Sequence, residues 1–275
     1  VDFAAVMQRV QGVIETIEPH DSPERFTSLG VTCVSGSARL ISPYEVEVDG
    51  KIITTESIVI ASGARPFVPH VPGLADIDYL TSDNVWSLTE LPPRLLVVGG
   101  GPIGCELAQA FSHLGSKVTQ VDMAARIMPR EDEDVSAAVS ARFLEHGIDL
   151  LTGHKLLKFE TVDGEHFMEA EHQGETVRVA FDRVLLAIGR KANTEGFGLE
   201  GWAKRVHNPA ILFPKRLKGG ELPLRALDQL HQLPFRCILF LAECDWQLAG
   251  LLPDEQQYHY TPNNIVLPML ANTHP

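Results

Sequence analysis

Apolar residues recur at helical spacing across residues 2–18, where Phe3, Val6, Met7, Val10, Val13, Ile14 and Ile17 share one side, so a helix is expected there, with no evident cap. Between Val31 and Ile60 the period shortens to strands, in VTCVSGSARLI, YEVEVDG and KIITTESIVIA, and Asp49-Gly50 reads as a hairpin turn between the last two. Ser57 to Ala61 closes this region and runs into Ser62-Gly63-Ala64, whose small side chains leave the backbone open to a ligand. Leu95 to Val98 is wholly apolar, the pattern of a parallel strand buried on both faces. The helical period returns after Pro102, with Ile103, Leu107, Ala110, Phe111 and Leu114 on one side and Gly115 placed to stop the helix. Val118 to Val121 predicts the next strand, and Asp132 to His146 the next helix, with Val135, Val139 and Phe143 inward. A β-rich stretch from Lys155 to Val179 is broken at Asp163-Gly164 and Gly174, and Phe181 to Ile188 is another buried strand. From Gly201 onward the periodicity fades among prolines.

Gly99, Gly101 and Gly104 stand at G-x-G-x-x-G spacing between the Leu95–Val98 strand and the helix from Pro102. In such a unit the first glycine makes the tight turn, the second admits a pyrophosphate close to the backbone, and the third lets helix and strand approach. The helix N-terminus adds unpaired N–H groups and the positive end of its dipole. Asp122 ends the following strand about 20 residues past the turn, where a carboxylate accepting from ribose hydroxyls is expected. The combination predicts dinucleotide binding. A carboxylate there also repels the 2′-phosphate of NADP, so NAD(H) is expected over NADP(H), with Arg126 and Arg130 close enough in sequence to bear on the preference.

The 275 residues carry a net charge of −13, which argues against nucleic acid or an anionic membrane as the main partner. With 44% hydrophobic residues the chain has ample material for a core, yet no apolar run approaches the roughly 20 residues of a membrane span. VDFAAVMQRV lacks the pattern of a signal peptide, so a cytoplasmic setting is the default, and Val1 is not a natural initiator. Cys33, Cys105, Cys237 and Cys244 form no C-x-x-C or zinc pattern, and no metal site is expected. Cys105 lies at a helix start, where a thiol pKa can fall, although packing is the simpler use. The acidic run Glu131 to Asp134 reads as a solvated, capping helix start.

The segment IVIASGARPFVPHVPG is similar to the "ATG" segment of the flavin- and pyridine-nucleotide-dependent disulphide oxidoreductases, the family of dihydrolipoamide dehydrogenase, glutathione reductase and mercuric reductase. The order that follows also resembles that family: the Leu91-Pro92-Pro93 linker, the glycine unit, RIMPREDEDVSAAVSARFLEHGIDL, the β-rich stretch and the GRKANTEGFGLE junction. The mercuric-reductase-like and dihydrolipoamide-dehydrogenase-like members are the most alike. The resemblance implies an α/β fold with a Rossmann-like NAD-binding domain, built on a parallel sheet with a β-meander, plus part of an FAD-binding domain. Residues 1–90 would be partial FAD domain, 91–190 the NAD(P) domain, and 191–275 a partial return to the FAD domain with an unassigned tail.

By the same resemblance FAD and NAD(H) are the cofactors. Gly99, Gly101, Pro102, Ile103, Gly104, Glu106, Asp122, Met123 and Gly189 would contact the nicotinamide dinucleotide, and Ser62, Gly63 and Ala64 the flavin side. Glu106, near the nicotinamide, is the one candidate for a catalytic role, with a favourable helix-dipole position as the simpler reading. NADP-preferring members tend to carry an arginine just after the second strand, where this chain has Met123. The family enzyme passes a hydride from NAD(P)H to flavin and on to a disulphide or a mercuric ion, and is a homodimer. The chain also departs from the family: no glycine fingerprint precedes residue 90, no two cysteines stand at C-x-x-x-x-C spacing, and CILFLAECD is only faintly like the Gly-Asp strand near the flavin. A non-catalytic nucleotide-binding remnant is therefore the alternative expectation, and a flavin NADH oxidase without a disulphide a third.

Overall fold

The computed structural model describes residues 1–199 and, as backbone, the short strands at Cys237–Leu239 and Ile265–Val266. It divides into two compact units: Val1–Thr16 with Ala64–Lys191, and Ile17–Gly63 with Ala192–Pro275.

Helix α1 (Phe3–Ile17) opens the chain. It has a cap after all, because the Asp2 carboxylate accepts from Ala5 N at 3.1 Å. After it come α2 (Pro23–Ser28), capped by Ser22, and the strands β1 (Thr32–Cys33), β2 (Ala38–Ser42), β3 (Glu45–Val48), β4 (Lys51–Thr54) and β5 (Ser57–Val59). Strands β2, β3 and β4 form an antiparallel sheet whose inner side buries Ala38, Val46, Val48 and Ile53. The β3–β4 turn has both central residues in left-handed backbone, Asp49 at φ 46° and Gly50 at φ 84°, as a two-residue type I′ hairpin requires.

The first unit contains β6 (Ala64–Pro66), β7 (Tyr79–Leu80), β8 (Arg94–Val98), α3 (Pro102–Leu114), β9 (Lys117–Asp122), α4 (Glu133–Glu145), β10 (Asp149–Thr152), β11 (Lys155–Val162), β12 (Glu165–His172), β13 (Glu175–Phe181), β14 (Arg183–Leu186) and the first two residues of β15 (Arg190–Ala192). Its centre is a parallel five-stranded sheet in the order β10-β9-β8-β14-β7. Leu95 and Val97 face the first turns of α1, together with α3 and α4, while Leu96 and Val98 face the antiparallel meander of β11, β12 and β13. Both sides of β8 are therefore covered, which is why its sequence has no polar alternation. Back in the second unit, β16 (Cys237–Leu239) runs parallel to β5 and to β17 (Ile265–Val266). The side chains of these two strands and the rest of the expected tail, Cys244 included, lie outside the described residues.

Two helix faces differ from the reading of the sequence. In α3 the buried side is Gly104, Cys105, Ala108 and Phe111, with Leu107 and Leu114 at its flank, while Ile103 is 37% exposed and Ala110 is exposed. The helix lies so close to the sheet that small residues take the inner positions. In α4, Val135 is exposed and Ser136 is buried instead, because its hydroxyl donates to Ile127 O at 2.6 Å. Asp132 stands at the α4 N-cap position but makes no side-chain capping bond.

Arg94 ties the start of β8 to the meander. Its guanidinium donates to Asp182 Oδ1 and Glu165 Oε1, both at 2.6 Å, and its backbone N–H donates to Asp182 Oδ2 at 2.8 Å. These bonds, the side-chain pair first, hold the Asp182 carboxyl below the usual carboxylate range. A carboxylate depressed on folding stabilises the protein fully above its unfolded pKa, near 3.8, and that contribution is lost as pH falls through the lower folded value. Asp182→Asn is thus expected to lower the urea midpoint at pH 7 by about a few tenths of a molar, a modest effect because the pair is partly solvated. Below pH 4 the gap between variant and wild type should narrow; a gap that stays constant from pH 7 to pH 3 would refute the assignment.

Candidate dinucleotide site

The predicted glycine unit sits at the carboxyl end of β8, and each glycine has a separate structural reason. Gly99 has φ 118°, and a Cβ there would stand 2.4 Å from Ala187 O at the end of β14. Gly104 would place a Cβ 2.2 Å from Gly99 O, so its missing side chain is what lets α3 lie against the strand end. Gly101 has ordinary extended backbone, and nothing lies within 4 Å of where its Cβ would be. The open side of the turn is therefore in front of Gly101.

The turn's other polar groups are taken up by the chain itself. Gly99 N donates to Val121 O at 2.8 Å, and Gly99 O accepts from Gln120 Nε2 at 2.8 Å. Gly100 N donates to Asp122 Oδ2 at 2.5 Å, and Gly100 O accepts from Met128 N at 2.6 Å. Among the described residues no acceptor faces the N–H groups of Gly101, Ile103 and Gly104, while Pro102 has none to offer. Three unpaired donors at the positive end of a helix, beside open space, are the arrangement that can hold an anion.

Asp122 is half-buried at the end of β9, with its second oxygen accepting from Ala124 N at 2.6 Å. Two backbone donors thus fix the carboxylate, which keeps further lone pairs for a ligand. Met123 is 76% exposed beside it. Arg126 donates to the carbonyls of Met128, Pro129, Glu131 and Asp132, the bond to Glu131 being the shortest at 2.9 Å. That arginine is committed to shaping the loop after β9, whereas Arg130 is exposed.

Glu106 is exposed one turn beyond the start of α3 at Pro102, so it lies in the second turn rather than the first. Burial pushes the Cys105 thiol pKa up, and its Sγ lies 3.6 Å from Gly100 O and 3.7 Å from Gln120 Nε2; the thiol packs under the turn and is not an activated nucleophile. Gly189, at φ 121°, follows β14, and its carbonyl accepts from Phe67 N at 2.9 Å. Arg190 holds Ser82, Asp83 and the Ala64 carbonyl, a structural use. The first unit therefore brings Gly99 to Gly104, Asp122, Met123 and the end of β14 to one edge of its sheet.

Ser62 and Gly63 belong to the second unit. There Ser62 Oγ donates to Asn193 O at 2.5 Å, Asn193 Nδ2 donates to Ser62 O at 2.9 Å, and Gly63 O accepts from Asn193 N at 2.9 Å. Their polar groups join the two chain segments, leaving small side chains and the φ 68° turn of Gly63 as what they present. The glycine spacing recurs at Gly196, Gly198 and Gly201, but Phe197 O accepts from Leu40 N and Gly198 lies against Leu40 O, so that copy serves packing on β2. Gly201 is outside the described residues. Among those residues no group of three or more His, Cys, Asp or Glu side chains is arranged to hold a metal ion, and no helix is long and apolar enough to cross a membrane.

Reading the sequence did not single out Gln120 or Met128. Gln120 left one signal, a polar residue inside V-T-Q-V-D on the side occupied by Val118. Met128 left none, since its role is a backbone bond made from φ 49°.

Comparison with known proteins agrees with this fold. The sequence profile of the pyridine nucleotide-disulphide oxidoreductases matches residues 7–210. Mercuric reductase of Staphylococcus aureus is 34% identical over 199 residues, covering 72% of this chain and 36% of that protein. Dihydrolipoyl dehydrogenase of Bacillus subtilis (strain 168) is 37% identical over 219 residues, covering 73% and 45%. The solved structure of the HOCl-induced flavoprotein disulfide reductase RclA from Escherichia coli matches with a TM-score of 0.62 at 29% identity, over 71% of this chain and 44% of that one. The chain spans under half the length of these relatives. The matched residues include the parallel sheet, the glycine unit and the meander, and the chain belongs to the pyridine nucleotide-disulphide oxidoreductase family.

Proposed function

We propose that residues 91–190 are the NAD(H)-binding domain, and the flanking segments part of the FAD-binding domain, of a flavin-dependent NAD(P)H oxidoreductase that reduces a disulphide or a mercuric ion. The observation that carries this reading is the set of unspent N–H groups of Gly101, Ile103 and Gly104 around the open face of Gly101. A dinucleotide pyrophosphate is the ligand they fit: the donors hold its oxygens, and Gly101 gives it room. Asp122, oriented by Gly100 and Ala124, accepts from the ribose hydroxyls. Pro102, Ile103 and Met123 lie along the ligand's path, Gly189 borders it, and Glu106 stands toward the nicotinamide end. When bound, the nicotinamide supplies hydride chemistry, and the chain's part is to bind and orient it.

The occupied guanidinium of Arg126 supports NADH over NADPH, because a 2′-phosphate would meet the Asp122 carboxylate without that cation free to neutralise it. Titrations monitored by nicotinamide fluorescence should give NADH the tighter affinity by about tenfold, roughly 1.4 kcal/mol. Equal or tighter binding of NADPH would remove the selective role from Asp122. For FAD, Ser62, Gly63 and Ala64 would form one wall, and the described residues lack a second phosphate-binding glycine unit that leads into a helix.

A second reading, a nucleotide-binding module without its own catalysis, is favoured by the absence from this sequence of any C-x-x-x-x-C pair. Purified protein that is yellow and oxidises NADH supports the oxidoreductase; colourless protein that binds NADH without oxidising it supports the module.

A further inference from the structure

Gln120 lies in the middle of β9, only 1% exposed, beneath the glycine unit. Its Nε2 donates to Gly99 O at 2.8 Å and would be 3.2 Å from a Cβ on Gly104. Its Oε1 is fully buried and has no hydrogen-bond partner, the one such side-chain atom among the described residues. The amide cannot be turned over to relieve this, because Oε1 would then face the Gly99 carbonyl, acceptor against acceptor. An orphaned buried oxygen destabilises a fold, and an apolar side chain of similar shape on this strand would avoid it. The neighbouring inward positions Val118 and Val97 are apolar.

We infer that Gln120 is a positioning residue for the dinucleotide site, its amide holding the Gly99 carbonyl so that the next N–H groups point outward at the ligand. The inference rests on the reading of that turn as a pyrophosphate cradle. Gly99 has two polar groups, and β9 takes both: Val121 O receives its N–H and Gln120 Nε2 bonds its carbonyl. Asp122 then takes the N–H of Gly100. Three consecutive residues of one strand therefore set the orientation of two consecutive peptides, and Gly101 is the first whose N–H remains for a ligand. Gln120 and Asp122 hold opposite ends of one peptide, the Gly99 carbonyl and the Gly100 N–H, and without Gln120 that peptide is anchored at its N–H alone. The same Nε2 also donates to the Cys105 sulfur at 3.7 Å.

The test uses the full chain and Gln120→Met, which keeps the volume, removes the donor and removes the orphaned oxygen. Expected are a melting temperature close to wild type, because removing the orphaned Oε1 offsets leaving Gly99 O without its donor, NADH affinity about tenfold weaker, and altered amide chemical shifts of Gly100 and Gly101 in the ligand-free protein. Val118→Ala is the control for a merely structural effect, since it lowers the melting temperature without moving those shifts. Gln120→Glu covers the case in which the methionine variant does not fold: a protonated carboxyl donates to Gly99 O and an ionised one cannot, so its amide shifts should match wild type at low pH and depart as pH rises. Wild-type amide shifts in Gln120→Met, or a flat pH profile in Gln120→Glu, would overturn the role of Gln120. If the wild-type chain itself fails to bind NADH, the reading of the cradle falls, and the ligand-free amide shifts still decide what Gln120 does.

Discussion

Gly101→Ala should leave the fold intact and abolish most of the affinity for NADH. The backbone at Gly101 is extended, with φ −79° and ψ 178°, a conformation alanine adopts freely, and nothing stands within 4 Å of the new methyl group. The stiffer unfolded chain contributes roughly 0.4–1 kcal/mol, which the poorer fit of alanine to the α3 N-cap position offsets by a similar amount, so stability should stay near wild type. That methyl occupies the space where a pyrophosphate would approach the N–H groups of Gly101, Ile103 and Gly104. Losing one or two charge-assisted hydrogen bonds costs about 3 kcal/mol, or roughly a hundredfold in Kd. Fluorescence titration beside a thermal melt measures both arms; a variant that binds NADH as wild type does would place the ligand elsewhere.

Gly99→Ala should do the reverse, failing in stability first. Its φ of 118° lies where side chains strain the backbone, at roughly 1–2 kcal/mol. The added Cβ would also stand 2.4 Å from Ala187 O and 2.6 Å from Ala187 C. Both are main-chain atoms at the end of β14, so no side chain can swing away, and forced overpacking of this kind adds about 1–3 kcal/mol. The sum, about 2–5 kcal/mol, is a large part of the 5–15 kcal/mol that typically holds a domain together. At roughly 2–4 °C per kcal/mol for a chain of this size, the melting temperature should drop by about 10 °C. A drop under about 2 °C would mean that β8 and β14 separate more easily than their pairing implies. Two alanines two residues apart thus separate the architectural glycine from the ligand-facing one.

The glycines were legible because their constraint is carried by the main chain and depends little on what surrounds them. Leu95 to Val98 was legible for a related reason: four apolar residues in a row fit a strand covered on both sides, and α3 and the meander supply the covers. The inner face of α3 was not, because periodicity ranks positions by hydrophobicity. A helix pressed against a strand end ranks them by size, which moves Gly104 and Ala108 inward and Ile103 outward. Ser136 was missed because its burial depends on a carbonyl, Ile127 O, brought to it by the loop after β9. The same loop supplies Met128 N to Gly100 and gathers Arg126 into itself. Asp122 was legible by position, but its two bonds to Gly100 and Ala124 belong to the tertiary structure, and they give the carboxylate a task even before any ribose arrives.

The meander between β10 and β14 bears on how the first unit assembles. Its two turns, Asp163-Gly164 and Gln173-Gly174, have both residues in left-handed backbone, and each joins strands that pair at once with their neighbour in sequence. Such hairpins close on the scale of about 1–10 μs. The pairing of β14 with β8 matches Arg183 to Leu95, across most of the unit's sequence, and long-range parallel pairing is slow. A preassembled meander shortens that search, since it brings Phe181 and Val184 to the side of the sheet where Leu96 and Val98 must be covered. The glycine turn, which needs both β9 and β14 in place around Gly99, would then be among the last parts of the unit to take shape, and loosening either turn of the meander should slow its appearance more than it weakens the finished turn.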